Sequence, residues 1–171
     1  MNNHPKCSRA SRVSPRFFPG LRLPKPKGQS LLMGALLVLA SLPMFGCQKA
    51  PLKPVDITKD ELCTRCRGVI AEKRYAAEFI TKDGFVRKFD DISCMVQHAK
   101  NKVKKENIAA YFMVDFPSQQ WMTAQEAKYV RSDKFKTPKD GGVLAFKDAA
   151  KAQALATQCQ AELIGFDDLM K

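Results

Sequence analysis

Two stretches decide the fold: Asp83-Gly-Phe-Val-Arg-Lys-Phe-Asp-Asp91 and, 57 residues further on, Asp140-Gly-Gly-Val-Leu-Ala-Phe-Lys-Asp148. Both read D-G-x-V-x-x-F-x-D, and shared positions at a fixed offset mark an internal duplication. In each copy Asp-Gly makes a tight turn, because glycine accepts positive φ. Val and Phe follow in a short strand, where their three-residue spacing puts them on opposite faces and implies a bulge or a strand end. The closing Asp is a helix N-cap whose carboxylate accepts backbone N–H groups that the helix leaves unpaired.

Each copy leads into an amphipathic helix. After Asp91, the residues Ile92, Met95, Val96, Ala99 and Val103 recur at helical spacing; after Asp148, Ala149, Ala152, Leu155, Ala156 and Cys159 do the same. Strand-like runs lie at Val69–Ile70 and Tyr75–Ile80 before the first helix, and at Ala110–Phe116 after it. Thr123 and Glu126 fit a capping box for a short helical turn, with further strands at Lys128–Arg131 and Ala161–Phe166. The order is β-β-α, then β-(α)-β-β-α-β. This describes an α+β protein of two related halves, about 59–107 and 108–171.

What precedes this domain is different in character. Residues 1–46 hold seven Lys/Arg and no acid, and Leu31–Leu42 is an uncharged run of 12 residues. That is too short for a membrane-spanning helix, which needs about 20. Basic leader, apolar run and small residues in that order predict a signal peptide over 1–46. Gly46 before Cys47 resembles a bacterial lipobox, with Cys47 as the lipidated first residue of the exported chain and Gln48 matching an outer-membrane sorting preference. Residues 47–58, with Pro51 and Pro54, read as an extended linker from that anchor into a domain at 59–171. The expected location is the cell envelope, on the outer membrane facing the periplasm.

The chain carries 29 Lys+Arg and 17 Asp+Glu, a formal charge of +12. Without the leader, 22 basic and 17 acidic residues remain, a net of only +5. Such a surface lacks the dense positive footprint of a nucleic-acid binder. No Ser-His-Asp arrangement, phosphate loop or H-E-x-x-H is present, and His98 is the sole histidine after the leader. Acid–base catalysis therefore has few candidates, and the chain reads as a non-enzyme.

The chemistry lies in sulfur. Cys7 falls in the leader and Cys159 on the apolar stripe of the second helix, where a small core residue is expected. Cys63-Thr-Arg-Cys66 places two sulfurs within reach of one soft metal ion or of each other. A dithiol oxidoreductase opens a helix with this motif, whereas Arg67-Gly-Val-Ile-Ala lacks helix character. Arg65 and Arg67 favour thiolates. Metal site, redox pair and plain disulfide all remain open readings at this point, the first being the best supported. Cys94 and His98, at i and i+4, share one face of the first helix and point away from the centre of its apolar stripe. Cys94 is the third residue after the N-cap, where the helix dipole favours a thiolate. The spacing C-x2-C…C-x3-H suits a tetrahedral Zn²⁺ site, while Cu(I) uses two or three of the same sulfurs, with Met95 as a further donor.

These pieces resemble the NosL family, lipoprotein copper chaperones that assist assembly of nitrous oxide reductase. The resemblance rests on Cys63-x-x-Cys66 before a strand, Tyr75-Ala-Ala-Glu78, Asp83-Gly84, Phe89-Asp-Asp-Ile-Ser-Cys-Met95, Trp121, Ala127-x-Tyr-Val130, Thr137-Pro138, Gly141-Gly-Val-Leu-Ala-Phe146 and Phe166-Asp-Asp-Leu169. It implies two ββαβ-type halves in one compact domain, resembling organomercurial lyase, with a Cu(I) cargo. The implied partner is a metal-receiving enzyme or its assembly complex. The family's C-G-M ligand pair is altered here to Cys66-Arg67-Gly68, and Lys139 follows Thr-Pro where the family tends to place Met. Only Cys66 carries over directly. Either Cys63 replaces the lost thioether, giving a bis-thiolate site, or the metal or the role has changed.

Overall fold

Alternating short strands and two 11-residue helices build the domain, seen in a computed structural model that describes residues 51–171. The leader, Cys7 and the lipidation candidate Cys47 lie outside the described residues. The elements are β1 (Ala77–Thr81), β2 (Val86–Phe89), α1 (Ile92–Lys102), β3 (Ile108–Val114), β4 (Trp121–Thr123), β5 (Lys128–Arg131), β6 (Val143–Phe146), α2 (Ala149–Cys159), β7 (Glu162–Ile164) and α3 (Phe166–Leu169). Among the described residues no helix is long and apolar enough to cross a membrane.

The strands form two antiparallel sheets, ordered β2-β1-β3-β4 and β6-β5-β7. Each contains the unit ββαβ: β1-β2-α1-β3 in the first, β5-β6-α2-β7 in the second. The fold class expected from the repeat is thus the one observed. Its seam differs, because β3 pairs with β1 from Ala77↔Met113 to Thr81↔Ile108 and so completes the first unit; β4 extends the same sheet.

The repeated motif performs the same local tasks twice. Asp91 accepts from Ser93 N at the start of α1, and Asp148 from Ala150 N and Lys151 N at the start of α2. Gly84, at φ 90°, supplies the positive dihedral in the first turn. The second turn departs from expectation: Asp140 and Gly142 take positive φ, of 51° and 65°. Gly141 is needed for space instead, since a Cβ there would collide with Ser93 and the Asp91 carboxylate.

No bulge is needed to explain the Val/Phe spacing in the second copy. β6 is buried at all four positions. Val143 and Ala145 join the main core cluster with β1, α1 and β3, while Leu144 and Phe146 join a second cluster under α2. Tyr129 and Val130 of β5 divide between the clusters in the same way. A sheet covered on both faces reads as a continuous apolar run, which conceals its period of two. Three local expectations change. Val69 forms only a single bridge to Leu62, Thr123 ends β4 with a turn to Glu126 in place of a helix, and the last predicted strand stops at Ile164 before α3.

Residues 51–60 lack regular structure, yet side chains tie them across the first sheet. Val55 N donates to Glu78 Oε1, Lys88 Nζ reaches Asp56 O and Glu61, and Trp121 Nε1 donates to Asp56 Oδ1. The stretch read as linker therefore joins the domain by Val55.

Candidate metal centre

The C-x-x-C stretch is a closed loop. Leu62 and Val69 bridge at its base, Cys63 N donates to Gly68 O at 2.8 Å, and Arg67 N donates to Cys63 O at 3.0 Å. Arg67 takes a left-handed φ of 64°, which turns the chain back. Thr64 N donates to Lys88 O at 2.8 Å, docking the loop onto the end of β2. That contact sets Cys63 and Cys66 beside Asp90, just past β2, and Cys94, in the first turn of α1. No helix follows the motif, in keeping with its sequence, and Cys63, Cys66 and Cys94 are all free thiols.

Ligand atoms of Cys63, Cys66, Cys94 and Asp90 lie within 4.8 Å of one another. Cys63 and Cys94 are sealed from solvent, Asp90 is 4% exposed, and Cys66 is half-buried. Cys66 Sγ donates to Asp90 Oδ2 at 3.2 Å, and Arg65 Nη1 lies 3.9 Å from Cys94 Sγ. Asp90 Oδ1 has no hydrogen-bond partner. A buried carboxylate oxygen left unpaired is costly. The carboxylate it belongs to stands in a group with three soft donors, a place where a bound ion would supply the missing charge.

Burial pushes the Cys63 thiol up from its ordinary value. It does the same to Cys94, where the neighbouring Cys63 and Asp90 add to the effect. The expected lowering by the helix N-terminus and the arginines is overruled. A helix end offers about 0.3–1 kcal/mol to an anion, less than the several kcal/mol that burying an ion costs. Without metal these two sulfurs are thiols, and a metal must displace their protons.

Three of the five side chains expected as ligands, Cys63, Cys66 and Cys94, are brought together. Cys94 is buried beside the loop cysteines, although its helical position lies away from the centre of the apolar stripe. Met95 is wholly enclosed in the main core cluster. His98 lies outside the four-residue group, its ring centroid 5.4 Å from that of Phe89 and 6.1 Å from that of Phe79. Burial, with Arg87, Lys102 and Arg65 nearby, disfavours its charged form. The side chain missed from sequence is Asp90. Its one signal is the pair Asp90-Asp91, in which the second Asp is fully employed as the N-cap and the first has no local task.

Lys139 completes the rim. Its Nζ lies 3.9 Å from Asp90 Oδ2, and both Asp90 and Cys66 favour its charged form. The loop bearing it is fixed to the head of α1: Thr137 Oγ1 donates to Asp91 Oδ2 at 2.6 Å and Lys139 N to the same oxygen at 2.9 Å. A Cβ built on Gly68 would sit 3.6 Å from Cys66 Sγ, 3.7 Å from Lys139 Nζ and 3.8 Å from Asp90 Oδ2. The two positions that depart from the family's methionines therefore meet at this one spot.

Fold and site together define an α+β protein of two ββαβ units with a thiol-rich group suited to a soft ion. The comparison with known families then places it: the chain belongs to the NosL family, whose model matches residues 54–171. The crystal structure of the copper chaperone NosL from Shewanella denitrificans is similar to it in fold, with a TM-score of 0.61 at 16% identity, covering 69% of this chain and 96% of that one. No curated protein sequence matches the chain.

Proposed function

We propose that the protein binds Cu(I) through Cys63, Cys66 and Cys94 and hands it, without catalytic turnover, to a metal-receiving enzyme or its assembly complex such as that of nitrous oxide reductase. The observation that carries this reading is the convergence of three free thiols and one carboxylate within 4.8 Å. Thiolates are the donors that soft Cu(I) prefers, and two or three of them suffice without a thioether. Membership of the NosL family and the likeness to a copper chaperone support the choice of metal.

Cys63 and Cys94 would form the inner wall of the site, and Cys66 the side nearest solvent. Asp90 stands where it can accept the proton that Cys66 gives up. A cargo held at a half-buried sulfur can pass to a partner's sulfur by exchange of donors. Reduced, metal-free protein should take up one Cu(I) in competition with a colorimetric chelator, and substitution of the cysteines should remove that uptake. Stoichiometric binding unaffected by all three cysteines would end the proposal.

One observation favours a second reading. The fourth group is a carboxylate, a harder donor than sulfur, and three sulfurs with one oxygen also suit tetrahedral Zn²⁺. A structural zinc would make the fold depend on the metal. Retention of native circular dichroism after chelation, with tight Cu(I) and weak Zn²⁺ uptake, excludes it.

We further propose that Cys47 is lipidated and holds the domain at the envelope membrane, the outer membrane on its periplasmic side. Cys47→Ser should release the protein from the membrane fraction. Persistent membrane association of that variant would refute the anchor.

A further inference from the structure

We propose that Lys139 is a specificity-determining residue: its ammonium stays at the rim of the Cys63, Cys66, Cys94 and Asp90 group and favours a monovalent ion over a divalent one. This rests on the copper reading of that group.

Among the described residues, Lys139 is the one cation at ion-pair distance from Asp90, its Nζ 3.9 Å from Oδ2. Its side chain is 41% exposed and so occupies the solvent edge of the group. Its backbone is fixed, since Lys139 N and Thr137 Oγ1 both donate to Asp91 Oδ2. Gly68 has no side chain to separate the ammonium from Cys66 Sγ. A second cation, Arg65, has Nη1 3.9 Å from Cys94 Sγ.

Loading changes the charge that these cations face. Each thiol that binds the ion gives up one proton to solvent, that of Cys66 by way of Asp90. Cu(I) brings in one positive charge. With two thiols ligating, the site becomes one unit more negative on loading, and with three, two units. The loaded site therefore holds the ammonium more strongly than the empty one, and Lys139 tightens Cu(I) binding. Zn²⁺ on the same sulfurs leaves the site one unit less negative than Cu(I) does, however many protons are released. Lys139 thus favours the monovalent ion by its interaction with one full charge. A carboxylate among the donors is suited to harder, divalent ions. The ammonium beside Asp90 offsets that preference.

The test uses full-length reduced protein, with Cu(I) and Zn²⁺ each buffered by a chelator of known affinity. Lys139→Ala should bind Cu(I) about fivefold more weakly, or more so if three thiols ligate. Its Cu(I)-to-Zn²⁺ affinity ratio should fall about fivefold, the scale of one charge acting at about 4 Å through water. Lys139→Arg, which keeps the charge, should match wild type, and Lys139→Glu should move the ratio about twice as far on a logarithmic scale. Added sodium sulfate, whose anion binds Cu(I) poorly, should narrow the gap between wild type and Lys139→Ala, because an exposed charge is screened. An unchanged ratio in Lys139→Ala, an equal fall in Lys139→Arg, or a gap indifferent to salt overturns the charge selection while leaving the copper site standing. Failure of wild-type protein to take up Cu(I) overturns the copper reading, and this inference with it.

Discussion

At the scale of single residues, the three cysteines differ in ways that sequence spacing does not express. Cys63 and Cys94 are sealed in the core, whereas Cys66 reaches the surface and already shares a hydrogen bond with Asp90. Cys66→Ser should therefore weaken Cu(I) binding with little change in stability. Cys63→Ser and Cys94→Ser should weaken binding and also destabilise the fold, each by about 1–3 kcal/mol, because a hydroxyl is placed where sulfur was packed. Chelator competition and urea unfolding on the same three variants check this ordering. Equal destabilisation by all three would contradict it. Gly68 shows why the altered C-x-x position matters: a longer side chain there must share its space with the Lys139 ammonium.

At the scale of elements, the repeated N-cap serves two different purposes. Among the described residues, the Asp148 side chain caps α2 by accepting from Ala150 N and Lys151 N alone. Asp91 caps α1 and also receives Thr137 Oγ1 and Lys139 N, so it ties the β5–β6 loop of the second unit to the helix of the first. Losing a cap costs about 1 kcal/mol. Asp148→Ala should cost about that much. Asp91→Ala also leaves buried donors unpaired and should cost about 3 kcal/mol. Denaturant titration of the pair measures the difference, and equal losses would show that the loop is held by other contacts. The duplication was legible as a pattern because turns and caps are local devices. Which copy had become a joint between the units was not, since Thr137 lies far from Asp91 in sequence.

At the scale of the whole molecule, the segment leading in from the N-terminal side is pinned over the first sheet above a buried carboxylate. Glu78 is fully buried, accepts from Val55 N, and has its other oxygen unpaired. Burial raises its carboxyl from 4.5 to about 7. Between those two values the folded chain holds a proton that the unfolded chain has lost. Stability from this group is therefore fully present below 4.5 and is lost as pH rises to about 7. The swing is on the order of 3 kcal/mol. Urea unfolding of metal-free protein at pH 5 and pH 8 should show it, and Glu78→Gln should flatten the difference. A pH-independent midpoint in wild type would mean that Lys88, opposite Glu78 in the β1–β2 register, holds the carboxylate charged.

What the sequence by itself determined is the set of short-range features. The Asp83-Gly84 turn, the Asp91 and Asp148 caps, the stripe of α1 and the run Lys128–Arg131 each depend on residues a few positions apart, and each is found where its pattern predicts. The cysteines could be named as donors because sulfur has little else to do in so regular a spacing. Tertiary structure alone decided the rest. β6 hides its alternation because both faces are covered, β3 joins the first unit through its pairing with β1, and His98 is drawn among phenylalanine rings. Asp90 and Lys139 enter the site only when the Cys63–Gly68 loop docks on β2 and the Thr137–Gly142 loop docks on Asp91. Those dockings depend on strand register and on which side chains remain unpaired after packing, and no local pattern encodes either.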